Sequence, residues 1–144
     1  PEYQGVIALI APGDYPLLGL VSLIAPSIAG GNTVVCLACE KWPLSAISFG
    51  EVLHASDIPN GVINILTGFN SELAEHFSSH KDVNGVVYCG DNTDLVKSIQ
   101  ENASGNVKRV HYYDKTDWLK ENGQSPYFIL DHVEIKTTWH PIGS

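Results

Sequence analysis

Five short β-branched runs recur along this chain, at residues 6–10, 33–37, 62–66, 85–89 and 107–113, with helix-length stretches between them. Strand and helix patterns in strict alternation are the signature of βαβ units. The first run, residues 6–10, is continuously apolar, as a parallel strand covered on both faces should be. The expected fold is therefore α/β: a doubly wound, Rossmann-like parallel sheet of about five strands with crossover helices. A chain of 144 residues suffices for one such domain and its core.

Local signals place the helices. Pro16 suits the first turn of a helix that Gly30 and Gly31 stop, and Pro26 inside that span predicts a kink or an early end. Pro43 opens a second helix with Ala46, Phe49, Gly50 and Leu53 on its inner face. Asn70 or Ser71 can cap a third that buries Leu73, Ala74 and Phe77. Residues 91–100 form a fourth, with Leu95, Val96 and Ile99 inward. After Tyr113 the pattern changes. Residues 114–126 are polar and read as a linker, a loop or a single helical turn. Residues 127–130 and 133–139 then read as extended segments; in the second, Val133, Ile135, Thr137 and Trp139 alternate with polar neighbours. The expected organisation is a body at 1–113, a linker at 114–126 and a terminal β-segment at 127–144.

Composition narrows the partners. The formal net charge is -8 with only eight Lys and Arg, so a nucleic-acid backbone would be repelled. No apolar run is long enough to span a membrane, and no leader with a cleavage site is visible. Three cysteines are an odd number that argues against a disulfide scaffold and for a reducing compartment, the cytoplasm by default. Met is absent even at position 1, which suggests a piece of a longer polypeptide.

Several motifs then converge on one family. Gly5-Val-Ile-Ala-Leu-Ile-Ala-Pro-Gly-Asp-Tyr-Pro-Leu17, Gly31-Asn-Thr-Val-Val35, Glu40-Lys-Trp-Pro-Leu44 and Pro59-Asn-Gly-Val-Ile-Asn-Ile-Leu-Thr-Gly68 occur in that order. Together they resemble the dinucleotide domain of the aldehyde dehydrogenases over residues 4–113. Leu130-Asp-His-Val-Glu-Ile-Lys-Thr-Thr-Trp139 resembles that family's C-terminal oligomerisation strand. The arrangement, with Gly105-Asn-Val-Lys108 and the ending Trp139-His-Pro-Ile-Gly143, is similar to the truncated second module of aldehyde dehydrogenase family sixteen.

The resemblance implies roles that these residues no longer match. Asp14 stands where the family has an Asn whose amide donates to the oxyanion; an ionised carboxylate has no donor. Leu37 replaces the Lys that reaches the adenosine ribose, while Glu40 keeps the ribose carboxylate. Gly68 and Gly90 persist, but Asp91 takes the place of a Ser beside the pyrophosphate and Leu95 that of a Gly, both opposing the cofactor. Tyr113 occupies the place of the general-base Glu, and the segment with the nucleophilic cysteine does not occur. The resemblance thus implies a chain with no catalytic residues and no cofactor, NAD being the alternative ligand. Its implied role is structural: docking, through Val133, Ile135, Thr137 and Trp139, on a catalytic aldehyde dehydrogenase module of the same polypeptide or of a dimer mate.

Other patterns have plainer readings. Cys36 and Cys39 form a C-x-x-C pair, but at a strand end and without two further ligands they read as buried thiols. His76 and His80 lie four apart near Asp82, without the Glu of a zincin motif, and read as solvated helix-end residues. Asn102-Ala-Ser104 is a glycosylation sequon read as chance. Asp14 and Glu40 read as relics of a cleft, not as an acid–base pair. No metal site is expected.

Overall fold

A computed structural model describes residues 1–141. The elements in chain order are β1 (Glu2–Tyr3), β2 (Val6–Ile10), α1 (Pro16–Ala29), β3 (Thr33–Leu37), α2 (Leu44–His54), β4 (Ile63–Leu66) and α3 (Asn70–Ser79). They continue with β5 (Gly85–Cys89), α4 (Thr93–Ser104), β6 (Arg109–Tyr113), a 3₁₀ turn (Glu121–Gln124), α5 (Phe128–Asp131) and β7 (Val133–Glu134). Five strands pair in parallel in the order β4-β3-β2-β5-β6. The doubly wound Rossmann-like sheet is as expected, and the strand order reverses between β2 and β5.

The two-residue period of a strand divides the core into two layers. Ile7 and Leu9 face one side with Val34, Cys36, Val87 and Cys89, against Leu20, Leu23 and Ile24 of α1 and Ala46 of α2. Ala8 and Ile10 face the other with Leu37, Val86 and Tyr88, against Ala74 and Phe77 of α3 and Ile99 of α4. β5 is buried along its whole length, which accounts for its unbroken apolar run. Among the described residues no helix is long and apolar enough to cross a membrane.

Four local expectations need correction. Helix α1 continues through Pro26 to Ala29 and does not end early. One missing N–H costs it one bond, while Leu20, Leu23 and Ile24 hold the helix to the sheet on either turn before it. The last parallel strand starts at Arg109, because Val107 and Lys108 complete the C-terminal turn of α4: both donate back to it, and Val107 takes φ 55°. Residues 127–130 are not extended: α5 forms there, with Leu130 N donating to Tyr127 O and Phe128 turned inward onto Tyr113 and Trp118.

The fourth correction concerns the terminal segment. Only Val133 and Glu134 are paired, antiparallel to β1, with Tyr3 opposite Val133 and Glu2 opposite Glu134. No local hairpin with 127–130 exists, since that stretch is helical. Residues 135–141 have no regular structure, and Ile135 and Trp139 are 77% and 84% exposed. The inner row expected of the alternation therefore stops at Val133. The remainder of the Trp139-His-Pro-Ile-Gly143 motif, and of the 127–144 segment, lies outside the described residues.

The polar stretch 114–126 holds a residue that its composition hides. Trp118 is 2% exposed and joins the core beside Phe128. Gly123 packs so closely that a Cβ there would meet Asp117 O at 2.4 Å. The backbone of this stretch closes over one end of α1, where Gln124 exchanges hydrogen bonds with Ser22.

Candidate functional site

In an open α/β sheet the strand order reverses at a crevice outside the carboxyl ends of the strands. Here the reversal lies between Ile10 and Cys89. The loops that leave β2, β3, β5 and β6 line a cleft of ≈ 460 Å³ with Asp14, Lys41, Asp91, Tyr113 and Lys115 at its walls. A second cleft of ≈ 560 Å³ opens beside it over the start of α4, lined by Glu40, Asn70, Tyr88, Asp91, Asp94 and Leu95. Asp91 borders both. The fold thus gathers Asp14, Glu40, Gly90, Asp91, Leu95 and Tyr113 around one end of the sheet. Backbone strain marks the rim: Tyr15 and Lys115 take φ 51° and 50°, costing of order 1 kcal/mol each.

Three residues that the resemblance places at cofactor positions, Glu40, Gly68 and Gly90, have neighbours within the fold. Glu40 accepts a hydrogen bond through Oε1 from the backbone N–H of Asn70. It thereby satisfies an orphan donor of α3 from thirty residues away, and the cap expected of the Asn70 or Ser71 side chain is not formed. At Gly68 a Cβ would stand 2.7 Å from Leu73 Cδ1, so the Leu73 side chain would have to shift. At Gly90 a Cβ would stand 2.5 Å from the Tyr88 hydroxyl, so the buried Tyr88 ring would have to shift. The Tyr88 ring is buried and stacks on Tyr112 at 5.9 Å, and burial pushes its phenol up.

At the neighbouring positions, Leu37 is fully buried in the α3 side of the core and presents no side chain to the cleft. Leu95 packs half-buried on the same cluster. The cap of α4 is Asn92, whose Oδ1 accepts from Leu95 N at 3.1 Å. Asp91 does not take that role and stays exposed.

Tyr113 ends β6 at the floor of the first cleft. Its hydroxyl donates to Asp131 Oδ2 at 2.5 Å, and its ring lies 5.1 Å from that of Phe128. Burial, with the Asp131 carboxylate beside it, pushes the phenol far above its ordinary range. It is a fixed donor and no base at any ordinary pH. Cys36 and Cys89 are buried thiols pushed well up by desolvation, so neither is an available thiolate. Cys39 is also free and buried.

The remaining motifs stay apart. His76 and His80 sit exposed at the end of α3, and among the described residues no three His, Cys, Asp or Glu side chains gather as metal ligands. Asn102 of the sequon is half-buried on α4, and its amide donates to Ser78 Oγ at 3.3 Å. The residues that sequence reading missed are Asn32, Trp118, Asp131 and His132. Their signal lay in residue type alone, since their partners are mostly far away along the chain.

The sequence model of the aldehyde dehydrogenase family matches residues 2–141. The chain belongs to the aldehyde dehydrogenase family. It is 34% identical over 129 residues to the NADP/NAD-dependent aldehyde dehydrogenase PuuC of Escherichia coli, covering 90% of this chain and 25% of that protein. To human retinaldehyde dehydrogenase 3 it is 38% identical over 135 residues, covering 93% and 25%. Among solved structures it resembles a variant of aldehyde dehydrogenase C from Pseudomonas syringae bound to NAD+ and octanal. The TM-score there is 0.75 at 34% identity, over 78% of this chain and 23% of that one. Betaine aldehyde dehydrogenase from Staphylococcus aureus, in complex with NAD+, gives 0.72 at 35% identity over 77% and 22%. The chain therefore spans about a quarter of the length of the aldehyde dehydrogenases it matches, and it shares a Rossmann-like fold with that part of them.

Proposed function

We propose that this chain is a non-catalytic aldehyde dehydrogenase-like module with a structural role in assembly. It docks on a catalytic aldehyde dehydrogenase module of the same polypeptide or of its dimer mate, in the manner of the truncated second module of family sixteen. The observation that carries the reading is the state of Tyr113. The position that the family gives to a general base holds a phenol committed to Asp131, and the segment after it folds back as core. A site that must accept a proton from water needs a base of ordinary pKa with room beside it. Tyr113 supplies neither.

The cofactor positions support the same reading. A dinucleotide's diphosphate seeks N–H donors and positive potential. The cleft over α4 instead presents the carboxyl groups of Glu40, Asp91 and Asp94, with Glu40 already engaged by Asn70. Gly68 and Gly90 each lie against a side chain, Leu73 and Tyr88, so neither glycine by itself calls for a ligand. The residues present do not fit NAD. The homologues bound to NAD+ keep the alternative of a residual NAD-binding module testable.

Isothermal calorimetry of the chain with NAD tests the cofactor half directly. A dissociation constant weaker than about 1 mM, worth only about 4 kcal/mol, is expected. Micromolar binding, or NAD reduction by the isolated chain in the presence of aldehydes, overturns the reading. The docking surface belongs to the exposed residues Ile135, Thr137 and Trp139, which follow the short β1–β7 pairing. Its compartment is the cytoplasm, where the three buried thiols stay reduced.

A further inference from the structure

The C-terminal segment is anchored by one histidine. His132 lies between α5 and β7 and is fully buried. Its carbonyl accepts from Asn32 Nδ2 at 2.7 Å, and Asn32 Oδ1 in turn accepts from the N–H groups of Gln4 and Gly5. Its ring Nδ1 lies 3.1 Å from Ser27 Oγ. The Ser27 hydroxyl has a single proton, and that proton goes to Leu23 O at 2.7 Å. Ser27 Oγ therefore accepts, Nδ1 carries the ring hydrogen, and Nε2 of the neutral ring is a bare lone pair.

A second imidazole lies beside this ring. The rings of His132 and His111 meet edge-on, with centroids 6.0 Å apart. Both Nε2 atoms are buried and have no hydrogen-bond partner among the described residues. We propose that His132, facing His111, is a proton-operated latch that holds residues 127–134 against the Rossmann-like body. A proton taken up at Nε2 becomes a buried N–H and a buried charge with no acceptor in hydrogen-bond reach among the described residues, and the segment opens to solvate both.

The surroundings decide the direction. β6 contributes His111, whose own charging would repel a second. α5 contributes the Asp131 carboxylate, which favours the proton but is already occupied by the Tyr113 hydroxyl. α1 carries no charged side chain and offers only Ser27. Gln4, ahead of β2, offers a neutral amide that donates to Asp131 O. Arg109 and Glu134, at the outer end, satisfy each other at 2.9 Å. Burial, then His111, outweigh Asp131 and hold the His132 pKa down to about 4. A base whose folded pKa is depressed stabilises the closed state fully above its unfolded value of about 6.5. The stabilisation is lost as pH falls through that value toward the folded one. The latch is closed at neutrality and opens between about pH 6.5 and 4. It stands independently of the docking role.

Hydrogen exchange of the chain, corrected for intrinsic rates, tests it when read alongside an NMR titration of the His132 ring. Between about pH 7 and 5, protection of residues 127–134 is expected to fall roughly tenfold or more, while β5 stays protected. His132→Gln flattens that dependence. A pH-independent segment, parallel loss in β5, or an unchanged pH slope in His132→Gln overturns the latch. If His132→Gln leaves the segment undocked at neutrality, the wild-type ring decides. Titration below about 5, coincident with opening, supports the latch; a midpoint at 6.5 or above, or one separate from opening, overturns it.

Discussion

The Tyr113 hydroxyl and the Asp131 carboxylate meet at 2.5 Å, joining the last strand of the parallel sheet to the short helix that follows eighteen residues later. This contact turns the floor of the switch-point cleft into part of the core. Tyr113→Phe leaves the half-buried carboxylate without its donor, and a loss of about 1–2 kcal/mol is expected in urea unfolding. Tyr113→Glu puts two carboxylates together and is expected to destabilise more. Unchanged midpoints for both variants would show that the contact carries no stability.

Asn32 is the second fixed point. Its amide side chain is 3% exposed and holds four backbone groups: Gln4 N, Gly5 N, Ser27 O and His132 O. Asn32→Ala strands all four, with an expected cost of about 2–4 kcal/mol. Proteolysis of the variant should cut first at both chain ends, because the same side chain clamps the two. Cutting confined to one end would refute the clamp.

Trp118 gives a packing test. Its indole is 2% exposed against Tyr113, Phe128 and the α1 face. Trp118→Ala opens a cavity worth about 3–5 kcal/mol, while Trp118→Phe is expected to recover about half of the loss. Near-ultraviolet circular dichroism should lose intensity in the first variant. If residues 114–126 were only a linker, neither change would register.

Glu40 separates a cap from a ligand. Glu40→Ala frees the Asn70 N–H at the start of α3 and is expected to cost about 1 kcal/mol, with Glu40→Gln retaining most of the stability through its carbonyl oxygen. A carboxylate kept for a ribose would leave stability unchanged in both variants and alter NAD binding instead.

The sequence carries the sheet plainly and the tail poorly, for a physical reason. Parallel strands covered on both faces must be apolar throughout, so residues 6–10, 33–37 and 85–89 announce themselves. Residues 133–139 alternate as a half-exposed strand should, yet an alternation names no partner. β1, more than a hundred residues earlier, accepts only two of them. Residues 127–130 look extended because they are apolar, but a helical turn buries Phe128 equally well. Of the site, the identities of Asp14, Glu40, Asp91 and Tyr113 are legible at once. The task of Glu40 is not, because Asn70, thirty residues away, meets it only through the fold.

The central claim is a structural role in assembly, and light scattering of the polypeptide that carries this chain measures it most directly. Removing residues 135–144 leaves β7, His132 and the core in place, so the truncated form is expected to unfold at the same temperature. The account predicts a lower assembled mass for the truncated polypeptide than for the intact one. The same mass for both, at the same concentration, would contradict it.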